Sequence, residues 1–128
     1  MATMHVELVS VERPLWSGEA VAVYARTPDG EIGVLPRHAP LLAALAPGWT
    51  VRIQPEGAAQ LTFAVHGGFL SVREDGVSVL AEMAEAAADI DADRARRALA
   101  ELGDETTDEA VAARERAWAR LRAVGETV

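Results

Sequence analysis

Hydrophobic and polar positions alternate from Met4 to Val11, with Met4, Val6 and Leu8 apolar and His5, Glu7 and Ser10 polar. A period of two marks a half-buried strand, which Pro14 is expected to end. The same reading predicts strands at Glu19 to Arg26 and Glu31 to Leu35, separated by Thr27-Pro28-Asp29-Gly30, where Pro presets one dihedral and Gly accepts a positive φ. Further short strands are predicted at Thr50 to Gln54, Gln60 to Val65, Phe69 to Arg73 and Val77 to Leu80. Gly67-Gly68 falls between two of them and reads as a hairpin or a bulge. The apolar run Leu41 to Leu45 is flanked by Pro40 and Pro47 and is expected to be a loop packed on the sheet.

The pattern changes after Leu80, where Ala becomes dominant and strand formers nearly disappear until Val111. Asp91 is a good helix N-cap, and Ala95, Ala98, Leu99 and Leu102 form a stripe of helical period that stops at Gly103. Thr106 to Glu109 fits a capping box for a second helix, with Ala110, Ala113, Ala117, Leu121 and Val124 on one face and Val111 and Trp118 beside it. The short connection makes the two helices antiparallel neighbours. The fold class expected is therefore mainly β plus α: a β-sandwich or barrel over residues 1–86, then an antiparallel two-helix hairpin over residues 87–128. Seams of Ala bury little area, so at roughly 25 cal/mol per Å² the hairpin contributes less than the sheet, and its docking is expected to be reversible.

Composition narrows the function. At 128 residues and half apolar, the chain has material for one core. Its net charge is −8 and all twelve basic residues are Arg, which leaves no broad basic surface for nucleic acid or an anionic membrane. The missing Lys beside abundant Ala and Arg points to a high-GC genome. There is no Cys, which removes disulfides, thiolate nucleophiles and Cys-ligated metals. No stretch approaches the length of a membrane span and no signal peptide is visible, so any membrane association is expected through partners.

Candidate chemistry is sparse. His5, His38 and His66 lack metal-ligand spacing, so no metal site is expected. Glu31 and His38 are close in sequence but come with no nucleophile or oxyanion hole, so no catalytic residue is assigned and a small β-fold enzyme using them is the remoter alternative. The last helix carries Arg114, Arg116, Arg120 and Arg122, with Asp104, Glu105, Asp108 and Glu109 at its start. Helix-dipole complementarity accounts for that arrangement, and an acidic protein segment or a nucleotide phosphate would also fit Arg116 and Arg120.

The run Gly30 to Leu42, followed by Pro47-Gly48, Gly67-Gly68-Phe69-Leu70, Val79-Leu80-Ala81-Glu82 and Ile90-Asp91-Ala92-Asp93-Arg94-Ala95, resembles the epsilon subunit of bacterial F-type ATP synthase, of the high-GC, actinobacterial type. The resemblance runs nearly end to end and weakens after Ala98. It implies a central-stalk subunit of the rotor that couples proton flow to ATP synthesis without supplying a catalytic group. Its implied partners are the gamma subunit, the c-subunit ring through the loop around Glu31 and His38, and the alpha and beta catalytic subunits through an extended hairpin that inhibits ATP hydrolysis. The implied location is peripheral, at the cytoplasmic face of the cell membrane. No cofactor is required. Some relatives bind a regulatory ATP on the folded hairpin through an Ile-Asp-x-x-Arg-Ala motif, matched here by Ile90, Asp91, Arg94 and Ala95, with last-helix arginines similar to Arg116 and Arg120. Glu101 stands where those relatives place another Arg, and Asp91 read alone is a helix cap. An ATP-sensing module outside the synthase is the alternative.

Overall fold

The computed structural model describes residues 2–128. Seven strands come first: β1 Met4–Ser10, β2 Pro14–Thr27, β3 Gly30–Val34, β4 Leu41–Ala44, β5 Thr50–Pro55, β6 Leu61–Arg73 and β7 Gly76–Ala86. A single 3-10 turn, Ala87–Asp89, leads into helices α1, Ala92–Leu102, and α2, Asp108–Ala123. The β-sandwich with a following helical hairpin expected from the sequence is the observed architecture.

Register explains how seven strands make two layers. The first part of β2 pairs with β1, from Met4↔Ala20 to Val9↔Pro14, whereas its second part pairs with β5 and β3. In the same way β6 pairs with β5 over Leu61 to Ala64 and with β4 over Phe69 to Val72. The long strand β7 follows β6 along both parts and lies parallel to β1 through Val6↔Val77 to Ser10↔Ala81. Strands that cross between layers close the sheet on itself, which leaves few free edges. Between the layers Leu8, Ile53, Leu70, Val6, Val23, Val34 and Val79 are fully buried.

Several boundaries differ from expectation. Leu41–Ala44 is a strand, not a loop, and pairs with β6 from Leu41↔Val72 to Ala44↔Phe69. Pro40 precedes it and Pro47 follows it, and a four-residue edge strand needs no donor from either. Pro14 opens β2 rather than simply ending β1. Gly67-Gly68 is neither a hairpin nor a register bulge: β6 runs through it, and the β6–β7 pairing keeps one register from Phe63↔Ala86 to Arg73↔Gly76. What changes there is the face. Phe63 and Val65 point into the core before the glycines and Leu70 and Val72 after them, a switch of parity made by positive φ at both glycines. β7 also continues past Leu80 through the Ala-rich stretch, because its partner β6 holds it. The cap of α2 is Thr107, whose side chain accepts from the Ala110 N–H, one residue later than the predicted box.

α2 lies on the outer face of β6 and β5, and α1 packs on α2. Ala64, Ala119 and Ala123 are buried together there, with Ala87 and Ile90 at the margin. Ala119 and Ala123 are not on the predicted face; α2 needs two apolar faces, one for α1 and one for the sheet.

The two kinds of glycine predict different costs. A Cβ at Gly68 would lie 2.1 Å from the Leu80 carbonyl oxygen, which the backbone cannot clear, whereas Gly57 has positive φ but open space around it. In urea unfolding, Gly68→Ala is expected to lose at least ~3 kcal/mol or fail to fold, and Gly57→Ala to lose only about 1 kcal/mol.

Candidate functional site

The hairpin residues singled out by sequence converge. Asp91, Arg94, Ala95, Arg116 and Arg120 line one cavity of about 340 Å³ between the hairpin and the end of β7. Ile90 does not line it and packs instead against the alanine cluster under α2. Glu85 and Asp89 form the opposite wall. Asp91 caps α1, its carboxylate accepting the Arg94 N–H at 3.1 Å. Glu101 is exposed and does not line the cavity. The carboxylate that pairs with an arginine of the cavity is Glu85: its Oε1 accepts from Arg120 Nε at 2.7 Å and lies 3.0 Å from His66 Nε2. Burial raises the pKa of Glu85, but the hydrogen bonds from Arg120 and His66 outweigh it and hold the carboxyl below its ordinary range.

Sequence reasoning missed Glu85 and His66 as a pair. Both face α2 across the β6–β7 ladder, and no local motif joins residues nineteen apart. The only available signal was parity along β6, and the glycines reverse it.

A second contact holds the far end of α2. Arg122 donates to the Gly48 carbonyl and stacks 3.8 Å from the ring centre of Trp49, while Arg26 of β2 lies 4.2 Å from the same ring. Burial, and then the charge of Arg26, lowers the pKa of Arg122. Two guanidiniums tolerate this arrangement because the indole face supplies electron density to each. At the other helix, Arg96 bridges Asp93 in the first turn of α1 and Glu126 beyond α2.

Glu31 and His38 are not brought together. Glu31 is in β3, in the strand predicted there and outside the loop that the resemblance implied, and its carboxylate pairs with Arg52 of β5. His38 follows β3 in the turn Leu35 to His38, closed by the His38 N–H on the Leu35 carbonyl at 3.1 Å. Its Nδ1 lies 2.7 Å from the Ala39 carbonyl, and it lines a separate cavity of about 850 Å³ with Arg37, His5 and Glu19. Among the described residues no cluster of three His, Asp or Glu side chains has metal-binding geometry, and no helix is long and apolar enough to cross a membrane.

The outer faces of the two layers differ. The hairpin covers one. On the other, Val9, Leu80, Phe69 and Ala44 stand in register across β1, β7, β6 and β4. Phe69 is 51% and Leu80 49% exposed, and Leu42, two residues along β4, is 71% exposed. Such a row exceeds the scattered apolar exposure of an ordinary surface and marks a contact face.

Arg122→Ala removes the stack and the hydrogen bond to Gly48 without touching the sheet core. The expected cost to docking is about 1–2 kcal/mol, read as a roughly 5- to 30-fold rise in amide exchange along α2 with exchange of β1 and β7 unchanged.

Comparison with known proteins agrees with this geometry. Residues 3–87 match the β-sandwich domain of the ATP synthase delta/epsilon chain. The ATP synthase epsilon chain of Mycobacterium sp. (strain KMS) is 52% identical over 126 residues, covering 98% of each chain. That of Mycobacterium tuberculosis (strain ATCC 25177 / H37Ra) is 51% identical over 125 residues with the same coverage. Among solved structures, a chain of the Euglena gracilis mitochondrial ATP synthase OSCP/F1/c-ring complex superposes with a TM-score of 0.78 at 26% identity, over 97% of this chain and 80% of that one. A chain of the Tetrahymena thermophila mitochondrial ATP synthase central stalk and c-ring matches at 0.66 with 14% identity over 94% and 92%, a likeness of fold. A sandwich with an apolar outer row, a docked two-helix hairpin and identity above one half along nearly the whole length place this chain in the family of ATP synthase epsilon chains.

Proposed function

We propose that the chain is a non-catalytic rotor subunit of a proton-translocating ATP synthase, peripheral to the membrane at its cytoplasmic face. In this reading the sandwich joins the gamma subunit to the c-subunit ring, and the hairpin restrains ATP hydrolysis when it reaches the alpha and beta subunits. The observation that carries it is the contrast between the two outer faces. The row of Phe69, Leu80 and Leu42 is a fixed apolar surface of the kind a permanent partner covers. The opposite face is covered by the chain's own α2, through alanines and a few polar contacts that can separate. His38 and its cavity lie apart from Glu31, so contact with the c ring is proposed for the turn Leu35 to His38 and not for one loop holding both residues.

A second reading, regulation by ATP, is supported by the convergence of Asp91, Arg94, Ala95, Arg116 and Arg120 on one cavity, within the ~300–1,000 Å³ of small-molecule sites. Glu85 already occupies Arg120, so a triphosphate has to displace that carboxylate. Heat in a calorimetric titration of the chain with ATP is expected to disappear in Arg94→Ala and Arg116→Ala and to rise in Glu85→Gln. No heat from the unaltered chain at millimolar ATP sinks the ATP reading and leaves the rotor reading intact.

The rotor reading is tested by reconstituting the soluble synthase sector with the full chain, with a chain ending at Ala88, or with Phe69→Asp. The shortened chain is expected to assemble and give faster ATP hydrolysis. Phe69→Asp is expected to weaken assembly at least about tenfold, the ~1.4 kcal/mol of one buried aromatic contact. If neither the full nor the shortened chain binds the sector, the reading fails.

A further inference from the structure

His66 lies on the face of β6 that α2 covers, and its side chain is only 8% exposed. Its Nε2 is 3.0 Å from Glu85 Oε1, the oxygen that also receives Arg120. Its Nδ1 is buried without a hydrogen-bond partner among the described residues. This geometry selects a protonation state. A neutral ring with its hydrogen on Nε2 donates to Glu85 and leaves only a lone pair at Nδ1. A protonated ring must carry a second N–H, at Nδ1, with nothing to receive it, and a buried donor left unpaired is costly.

The surrounding charges are of both signs, and burial decides between them. From β7 the ring faces Glu85, and the neighbouring cavity adds Glu82; α2 contributes Arg116, Arg120 and Glu115. Pro47 and Gly48, before β5, carry no charge. Glu85 favours a charged ring, but burial, joined by Arg120 and Arg116, outweighs it and keeps the pKa of His66 below the ordinary 6.5.

We propose that His66 is a proton-operated catch on the hairpin: α2 rests on the sheet while the ring is neutral, and proton uptake releases it. The catch concerns docking itself and holds whatever the released hairpin engages. When α2 leaves, His66 meets water and loses Arg116 and Arg120 while Glu85 stays beside it on the sheet, so its pKa rises from the depressed docked value to the ordinary 6.5 or above it. The released state therefore binds the proton more tightly than the docked state. Docking is undiminished above the pKa of the released ring and weakens below it, by at most about tenfold per pH unit for one proton, until the docked ring itself titrates. The depressed Glu85 acts in the same direction only in more acid solution, below its ordinary 4.5.

The chain has no Cys, so single cysteines can be placed at exposed Glu56, between β5 and β6, and exposed Thr106, between the helices. Spin labels there report the distance from hairpin to sandwich. The labelled chain is expected to show one narrow distance at roughly pH 8 and a growing broad, longer population between about pH 6.5 and 5.5, whereas His66→Gln, which can still donate to Glu85 and cannot titrate, stays narrow throughout. A narrow distance in the labelled chain down to about pH 5.5, or release of His66→Gln at the same pH, overturns the proposal. Should His66→Gln already be broad at roughly pH 8, proton NMR of the His66 ring in the unaltered chain decides. A depressed pKa that follows release supports the catch, and an ordinary pKa with unchanged distances overturns it.

Discussion

The closeness of α2 to β6 depends on alanine. Ala64 on the strand and Ala119 and Ala123 on the helix are the buried residues of that contact, and side chains of one carbon let the backbones approach until short polar reaches become possible. Arg120 then meets Glu85 across the seam, and Arg122 meets the Gly48 carbonyl and the face of Trp49. A larger residue at Ala64 would lift the helix and break both contacts at once. The seam buries little area, so by the area rule of about 25 cal/mol per Å² it contributes modestly, and the polar contacts decide whether the hairpin stays.

The sandwich answers to a different constraint. Its two layers are one sheet folded across itself, and the crossing on β6 falls at Gly67-Gly68, where the Leu80 carbonyl lies too close for any side chain at Gly68. The crossing reverses which residues face the core. That reversal places His66 outward under α2 and Phe69 outward on the opposite layer. The position of the catch and of the apolar row thus follows from the same pair of glycines.

Much of this was legible in the chain. Alternation gave the strands, the Asp91 cap and the stripe ending at Gly103 gave α1, and the Gly30 to Leu42 run carried the family. Short elements held by partners were not legible: Leu41–Ala44 has too few residues and too much proline nearby to declare a strand, and only its pairing to Val72 through Phe69 makes it one. The Ala-rich end of β7 is the same case, since Ala has weak strand preference and β6 supplies the reason for its extension. The site was half visible. The family resemblance collected Asp91, Arg94 and Ala95 at one helix start, and helical period set Arg116 and Arg120 one turn apart on the other helix. Glu85, His66 and the Arg26–Trp49–Arg122 stack needed residues from separate strands, brought together by register rather than by any spacing along the chain.

These contacts also make the hairpin a poor passive ornament. A helix pair meant to stay would bury Leu and Ile against the sheet, as the core between the layers does with Leu8, Ile53 and Leu70. Here the buried residues of the interface are alanines, with Ile90 only at the margin, and its polar members each have an alternative outside it. Arg120 and Arg122 are well solvated when released, Glu85 loses Arg120 but keeps His66, and His66 gains water at the nitrogen that docking leaves without a partner. The docked and released states therefore differ by small terms of opposing sign, the condition under which the single proton of the proposed catch can choose between them.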